Sequence, residues 1–235
     1  MTVEELLTII SGKLIVSCQA GHGHALRDTG TIERMARAAV DGGAVAIRCG
    51  GVGGTPDVAA VVSAVKVPVI GLTKIGSEGV FITPTRESAL EVVDSGAQIV
   101  AADATLRPRP DGLTFADTVD AVHDRGGLVM ADCGTLKDGI AAAAAGADII
   151  SSTLAGYTES SRQLAGPDLE LISELRQALP DVVLIAEGRY HSPEDAARAI
   201  ALGADSVVVG TAITDPAFIT SKFAAAVSGA ERQRV

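Results

Sequence analysis

Three residues able to move protons stand where apolar runs stop. Val182–Ala186 runs directly into Glu187, Gly188 and Arg189, Val69–Leu72 is followed by Thr73 and Lys74, and Leu128–Ala131 by Asp132. Apolar runs of this length suit strands buried on both faces. A charged group at the end of one costs desolvation free energy unless it has a partner or a task. Lysine can take a proton from carbon when partial desolvation lowers its pKa, and glutamate can return one when burial raises its own. Placed on opposite sides of a substrate, Lys74 and Glu187 would remove a proton from one face and replace it on the other. That is the requirement for inverting a carbon next to a carbonyl. Two other tasks stay open to Lys74: a Schiff-base nucleophile, or simply the partner of Asp132.

The elements that would bring these groups together are legible as a repeat. Eight apolar runs, Leu14–Ser17, Val45–Ile47, Val69–Leu72, Ile99–Ala102, Leu128–Ala131, Ile149–Ser152, Val182–Ala186 and Val207–Val209, follow a short helix expected at Val3–Ile10. Their spacing of roughly 20 to 35 residues is close to one βα unit. Gly43-Ala44, Gly96-Ala97, Gly146-Ala147 and Gly203-Ala204 precede runs, where glycine suits the left-handed position that ends a helix. Thr55-Pro56-Asp57 and Ser192-Pro193-Glu194 read as helix starts, a cap residue followed by proline. The expected fold is α/β, a single-domain (β/α)8 barrel over 1–235 with a short N-terminal helix; a doubly wound open sheet is the runner-up.

In such a barrel the chemistry sits at the C-terminal strand ends. Those ends carry Gln19, Arg48, Lys74, Asp103, Asp132, Thr153, Glu187 and Gly210 in strand order. A set of polar strand ends could cap the barrel, but so many ionisable ones point to an active site. Side-chain alternation then turns Cys18, Cys49 and Cys133 outward as buried packing residues. None of the four histidines ends a strand, so no metal is expected. Gly188 after the seventh run, and Gly210 with Thr211 after the eighth, occupy the places where barrels bind phosphate through backbone N–H groups.

Composition narrows the partners. The 235 residues are 47 % hydrophobic and 3 % aromatic, with 29 acidic against 19 basic residues and a formal charge of −10. Nucleic acid and anionic lipid need clustered positive charge, so neither is expected as a partner. No apolar run reaches the roughly 18 residues of a membrane span. The acidic start, Met1-Thr2-Val3-Glu4-Glu5, is unlike a secretory signal, and the odd cysteine count argues against a disulfide framework. A cytoplasmic protein follows. Oligomeric state is left open, a homodimer included.

Longer motifs carry a resemblance. Leu-Ile-Val-Ser-Cys-Gln at 14–19, Gly-Gly-Ala-Val-Ala-Ile-Arg at 42–48, Ile-Thr-Pro-Thr at 82–85 and Asp-Ala-Thr-Leu-Arg-Pro-Arg-Pro at 103–110 are joined by Met-Ala-Asp at 130–132. Ser-Ser-Thr-Leu-Ala-Gly-Tyr-Thr at 151–158, Gly-Pro-Asp at 166–168, Ala-Glu-Gly-Arg at 186–189 and Val-Val-Gly-Thr-Ala-Ile-Thr at 208–214 complete them. Together they resemble the N-acetylmannosamine-6-phosphate 2-epimerases of sialic acid breakdown. The resemblance implies a metal- and cofactor-free barrel that exchanges the C2 proton of an opened phosphosugar. Lys74 and Glu187 would move the proton, and Asp132 would hold the lysine. Gln19, Arg48, Thr153 and Arg189 would contact substrate, while Gly188, Gly210 and Thr211 would bind its phosphate. Arg48 or Arg189 could also stabilise the enolate. Departures fall in loops: Ala20–Asp28, Cys49-Gly50-Gly51 and the shorter stretch after Lys74 differ from the usual pattern. An epimerase acting on another phosphosugar is the nearest alternative. A sugar-phosphate binding protein without catalysis is the alternative from another class, though pure binding needs no acid and base.

Overall fold

The buried apolar runs pair side by side, each parallel to the next, and the last closes on the first. In the computed structural model, which describes residues 1–230, β1 (Lys13–Cys18), β2 (Ala46–Gly51), β3 (Val69–Thr73), β4 (Ile99–Asp103), β5 (Leu128–Asp132), β6 (Ile149–Ser151), β7 (Val183–Glu187) and β8 (Ser206–Val209) form a closed barrel in sequence order. Ile15 pairs with Ala46 across β1 and β2, and with Val208 across β1 and β8. Each strand but the last is followed by a barrel helix: α2 (Thr29–Asp41), α3 (Gly54–Ala64), α4 (Arg86–Asp94), α5 (Phe115–His123), α6 (Leu136–Ala144), α7 (Leu169–Ala178) and α8 (Pro193–Ala201). After β8 come a single turn, α9 (Thr211–Thr214), and α10 (Pro216–Ser228), which buries no side chain. This is the expected (β/α)8 architecture; the expected span 1–235 includes 231–235, which lie outside the described residues.

Alternation along the strands sorts side chains into two layers. Ile15, Ala46, Ile70, Leu72, Ile99, Met130, Ile149, Ile185 and Val208 fill the barrel interior. Cys18, Cys49, Val100 and Val129 pack outward with Ile32, Val58, Val61 and Val119 of the helices, and Cys133 packs in a further such cluster with Ile150 and Leu175. All three cysteines are free and buried, on the outer layer as alternation requires. The expected junction glycines Gly43, Gly96, Gly146 and Gly203 all take positive φ, between 90° and 106°. Among the described residues no helix is long and apolar enough to cross a membrane.

Two local expectations need correcting. Strand β2 runs on to Gly51, so Arg48 is its third residue, inside the barrel, and not a group beyond the strand end. Helix α3 starts at Gly54 with Gly53 as its cap, placing Thr55 within the first turn. The reason is that Asp57, which the Thr-Pro-Asp reading put in the first turn, draws Arg27 and Thr29 to itself by bonds of 2.6–2.8 Å, and Gly53 is packed against that pair. The Ser192-Pro193 start holds as read, with Ser192 Oγ accepting from the Asp195 N–H.

The short helix α1 (Val3–Ile10) has a structural task that its position before β1 did not reveal. Thr2 and Glu5 form a capping box at its start. Its fully buried Leu6 and Ile10 join the interior layer and stop the end of the barrel opposite the polar strand ends. Truncating this stopper opens a cavity that rigid strands cannot collapse. Ile10→Ala is expected to lower unfolding stability by about 2–5 kcal/mol without changing the denaturant slope, read from urea unfolding curves.

Candidate active site

A cleft of about 400 Å³ opens at the C-terminal strand ends. Gln19, Lys74, Thr153, Glu187, Gly188, Arg189, Gly210 and Thr211 line it. Arg48 and Asp132 do not reach it. They are buried behind Glu187 and Thr153, which they touch.

Arg48 is the largest fully buried side chain. Its Nη1 and Nη2 donate to Asp132 Oδ1 and Oδ2 at 3.0 and 2.6 Å, and Nη1 lies 3.3 Å from Glu187 Oε2. Burial works against its charge, but the two carboxylates outweigh burial and raise its pKa, so it stays a cation. Both Nη groups serve protein acceptors and the buried Nε has no partner among the described residues, so the guanidinium expected to contact substrate sits behind the cleft wall. The aspartate expected to hold Lys74 is therefore engaged elsewhere: the Arg48 fork spans from β2 to β5 and, with Thr153 Oγ1 at 2.7 Å, occupies Asp132.

Glu187 ends β7, its backbone held by Ser152, whose Oγ accepts from the Glu187 N–H and donates to its C=O. Burial pushes its carboxyl up to about 7, against the pull of Arg48 and with the Asp132 charge adding to the rise. Lys74 stands four strands away around the eight-stranded barrel, on the opposite wall. Burial lowers the pKa of its ammonium, Arg48 adds to the lowering, and Glu187 and Asp132 oppose it. Among the described residues no ion pair holds that ammonium.

The backbone that presents Lys74 is tightly braced. Its N–H donates to the Gly51 carbonyl at 2.8 Å and it bridges Ile82 in antiparallel fashion. Thr83, buried, adopts φ of +42°, an uncommon conformation for a β-branched residue. It is clamped by mutual bonds with Thr73, by Oγ1 donating to Ala101 O at 2.6 Å, and by Arg109 Nη2 donating to its carbonyl at 3.0 Å. Arg109 also donates to Asp103 O at 2.7 Å. Arg109 was not singled out from the sequence; a buried arginine between two prolines was the only sign. Asp103 is itself held by Thr105 and Arg107 and does not line the cleft.

The adjacent strands β7 and β8 offer backbone groups to the cleft. Gly188 has φ of +108°, and Gly210 precedes the single turn α9. Arg189, with φ of +59°, swings its guanidinium onto the loop after β6. Nε donates to Gly166 O at 2.9 Å, the group stacks 5.5 Å from the Tyr157 ring, and the buried Nη2 has no partner. Gln19 Nε2 donates to Ser17 Oγ at 2.8 Å, and Gly51 leaves room for its amide, since a Cβ there would stand 2.5 Å from Gln19 Oε1. The hydroxyl of Thr153, expected to meet substrate, lies in the cleft wall within hydrogen-bond reach of Ser151, Asp132 and Glu187. His24, missed as a site residue, closes one side of the mouth through Asp215 at 3.3 Å.

The raised carboxyl has a thermodynamic signature. Between the ordinary 4.5 and about 7, the folded chain keeps the Glu187 proton that the unfolded chain has lost. The unfolded state then binds fewer protons, so stability falls as pH rises through that window and the penalty is complete above it. Glu187→Gln removes the penalty. Relative to the unchanged chain, it should gain on the order of 3 kcal/mol as pH rises through the window and stay level beyond, measured by urea midpoints against pH.

Comparison with known proteins places this geometry among relatives. Residues 32–229 match the family model described as "Putative N-acetylmannosamine-6-phosphate epimerase". A Corynebacterium glutamicum protein named "Putative N-acetylmannosamine-6-phosphate 2-epimerase" is 55% identical over 220 residues, covering 94% of this chain and 95% of its own. A Cutibacterium acnes protein of the same name is 48% identical over 94% of this chain and 96% of its own. The solved N-acetylmannosamine-6-phosphate 2-epimerase from Clostridium perfringens superimposes with a TM-score of 0.90 at 41% identity, covering 94% of this chain and 96% of that one.

Proposed function

The chain belongs to the N-acetylmannosamine-6-phosphate epimerase family, and from that premise we propose that it interconverts N-acetylmannosamine 6-phosphate and N-acetylglucosamine 6-phosphate. It is an isomerase-class enzyme by its relatives. One observation carries the mechanism: a desolvated, unpaired lysine and a carboxyl raised to about 7 face one cleft from opposite walls of the barrel. With the sugar opened, its C1 carbonyl acidifies the C2 proton. In one direction Lys74 takes that proton from one face while Glu187 returns one to the other; in the reverse direction the roles exchange. Deprotonated Lys74 is accessible because burial and Arg48 lower its pKa, and neutral Glu187 is accessible because burial raises its own.

Asp132 acts through Arg48 and Thr153. Arg189, which lines the cleft and has an unpartnered, buried Nη2, would donate to the enolate oxygen or the phosphate on turning towards substrate, as Gln19 would to the sugar. Backbone N–H groups about Gly188, Gly210 and Thr211 would take the phosphate, which a chain of charge −10 has to meet locally. These cationic and backbone donors support a reaction that needs no metal and no cofactor. The three unpaired thiols support a reducing, cytoplasmic setting. A homodimer is supported by α10, whose Phe223 and Val227 are 71% and 75% exposed.

Turnover of N-acetylmannosamine 6-phosphate in deuterated water, with a chelator present, is expected to give the gluco epimer carrying deuterium at C2. Product without solvent deuterium would sink proton exchange, and tight binding without turnover would favour a binding protein. Lys74→Ala should remove turnover by a factor of at least about 10² and leave phosphate-dependent binding largely intact. Light scattering should find twice the 23.8 kDa chain mass, and Phe223→Asp should shift it towards one.

A further inference from the structure

The contacts around Glu187 can be counted in hydrogens. Thr153 Oγ1 lies 2.7 Å from Asp132 Oδ1, 2.8 Å from Ser151 Oγ and 3.1 Å from Glu187 Oε2. A hydroxyl brings one hydrogen and two acceptor sites. Ser151 Oγ makes no other hydrogen bond among the described residues, so its hydrogen goes to Thr153. The Thr153 hydrogen goes to Asp132, at the length of a charge-assisted O–H···O⁻ bond. Nothing is left to fill the 3.1 Å contact unless Glu187 supplies it. With Glu187 ionised, that contact sets a carboxylate oxygen against a hydroxyl lone pair, beside a second carboxylate. With Glu187 neutral, its O–H donates to the remaining site on Thr153 and every contact holds one hydrogen.

We propose that Thr153, oriented by Ser151, is a positioning residue that keeps Glu187 in its proton-bearing form by accepting from it while donating to Asp132. The inference rests on the proton-transfer role given to Glu187 above, and adds how that proton is kept. Thr153 can turn its hydrogen to an ionised Glu187 only by abandoning Asp132, so the ionised arrangement always has one contact fewer. The charged groups facing Glu187 are Arg48 of β2, Lys74 after β3 and Asp132 of β5, with Asp103 of β4 behind Asp132 and Arg189 two residues along its own chain. Arg48 and Lys74 favour ionisation and Asp132 disfavours it. Strand β6 brings hydroxyls alone, and it is their direction that this proposal concerns.

The test separates retention of the proton from its use. Glu187, labelled with ¹³C at its carboxyl, is titrated by NMR in the substrate-free protein. Thr153→Val keeps the shape and removes the acceptor, and should lower the Glu187 midpoint by roughly one pH unit; Thr153→Ser should restore it. An unchanged or raised midpoint in Thr153→Val overturns the proposal, as does failure of Thr153→Ser to restore a lowered one. The pH profile of C2 deuterium exchange is measured alongside. If the NMR midpoint falls and the profile does not follow, Thr153 holds the proton as proposed and the role of Glu187 in turnover is what fails. Should Thr153→Val not fold, isotope-edited infrared on the unaltered chain decides. A hydrogen-bonded, protonated Glu187 carbonyl band that persists above the ordinary carboxylate range supports the proposal, and a free one overturns it.

Discussion

A guanidinium locked inside the barrel is what the polar end of this molecule depends on. Without Arg48, Asp132 and Glu187 would be two carboxylates sharing a nearly dry space, side chains 0% and 13% exposed. Two buried like charges cannot both persist there, and removing the partner of a buried pair is far costlier than the pair is worth. Arg48 resolves this unequally. It binds Asp132 with both prongs and only approaches Glu187, whose carboxyl burial raises against its pull. The same cation lowers the pKa of Lys74. Burial raising Glu187, and burial with Arg48 lowering Lys74, bring the proton affinities of the two groups towards each other, which is how acid and base roles become available near neutral pH.

Around that centre, the outer bracing is made of polar groups doing backbone work. Arg109 ties the Thr83 carbonyl to that of Asp103 at the end of β4, and so holds the left-handed Thr83 beside the residues that carry Lys74. Arg27 and Asp57 tie the first loop to the start of α3, next to the glycines that make room for Gln19. The first of the loops that differ from the family pattern is therefore not loosely attached. It is pinned by the ion pair of Arg27 with Asp57, 30 residues away.

Much of the architecture was legible because its causes are local. Alternation within a strand sends Cys49 outward when Arg48 turns inward, and a glycine with positive φ ends helix after helix. The strand ends carrying Lys74, Asp132 and Glu187 were found from apolar runs that stop at a charge. Where reading failed, a distant partner had intervened. Thr55 lost its expected capping place to Gly53 beside the Arg27–Asp57 pair, α1 became a stopper for a barrel not yet closed in sequence, and Arg109 showed its purpose only once Thr83 and Asp103 were side by side.

The amino-acid sequence by itself determined the eight-fold repeat, the burial of each strand and the identity of the ionisable groups at one end, since these follow from period, hydrophobicity and turn chemistry along the chain. It could not determine which of those groups pair. Closing β1 on β8 brings residues from β2, β5, β6 and β7 into one space, and only there do geometry and dielectric assign Arg48 to Asp132, leave Lys74 without an ion pair among the described residues and give Thr153 its single hydrogen to share. Pairing among charges depends on distances of a few ångströms across strands far apart in sequence, and those distances exist only in the folded chain.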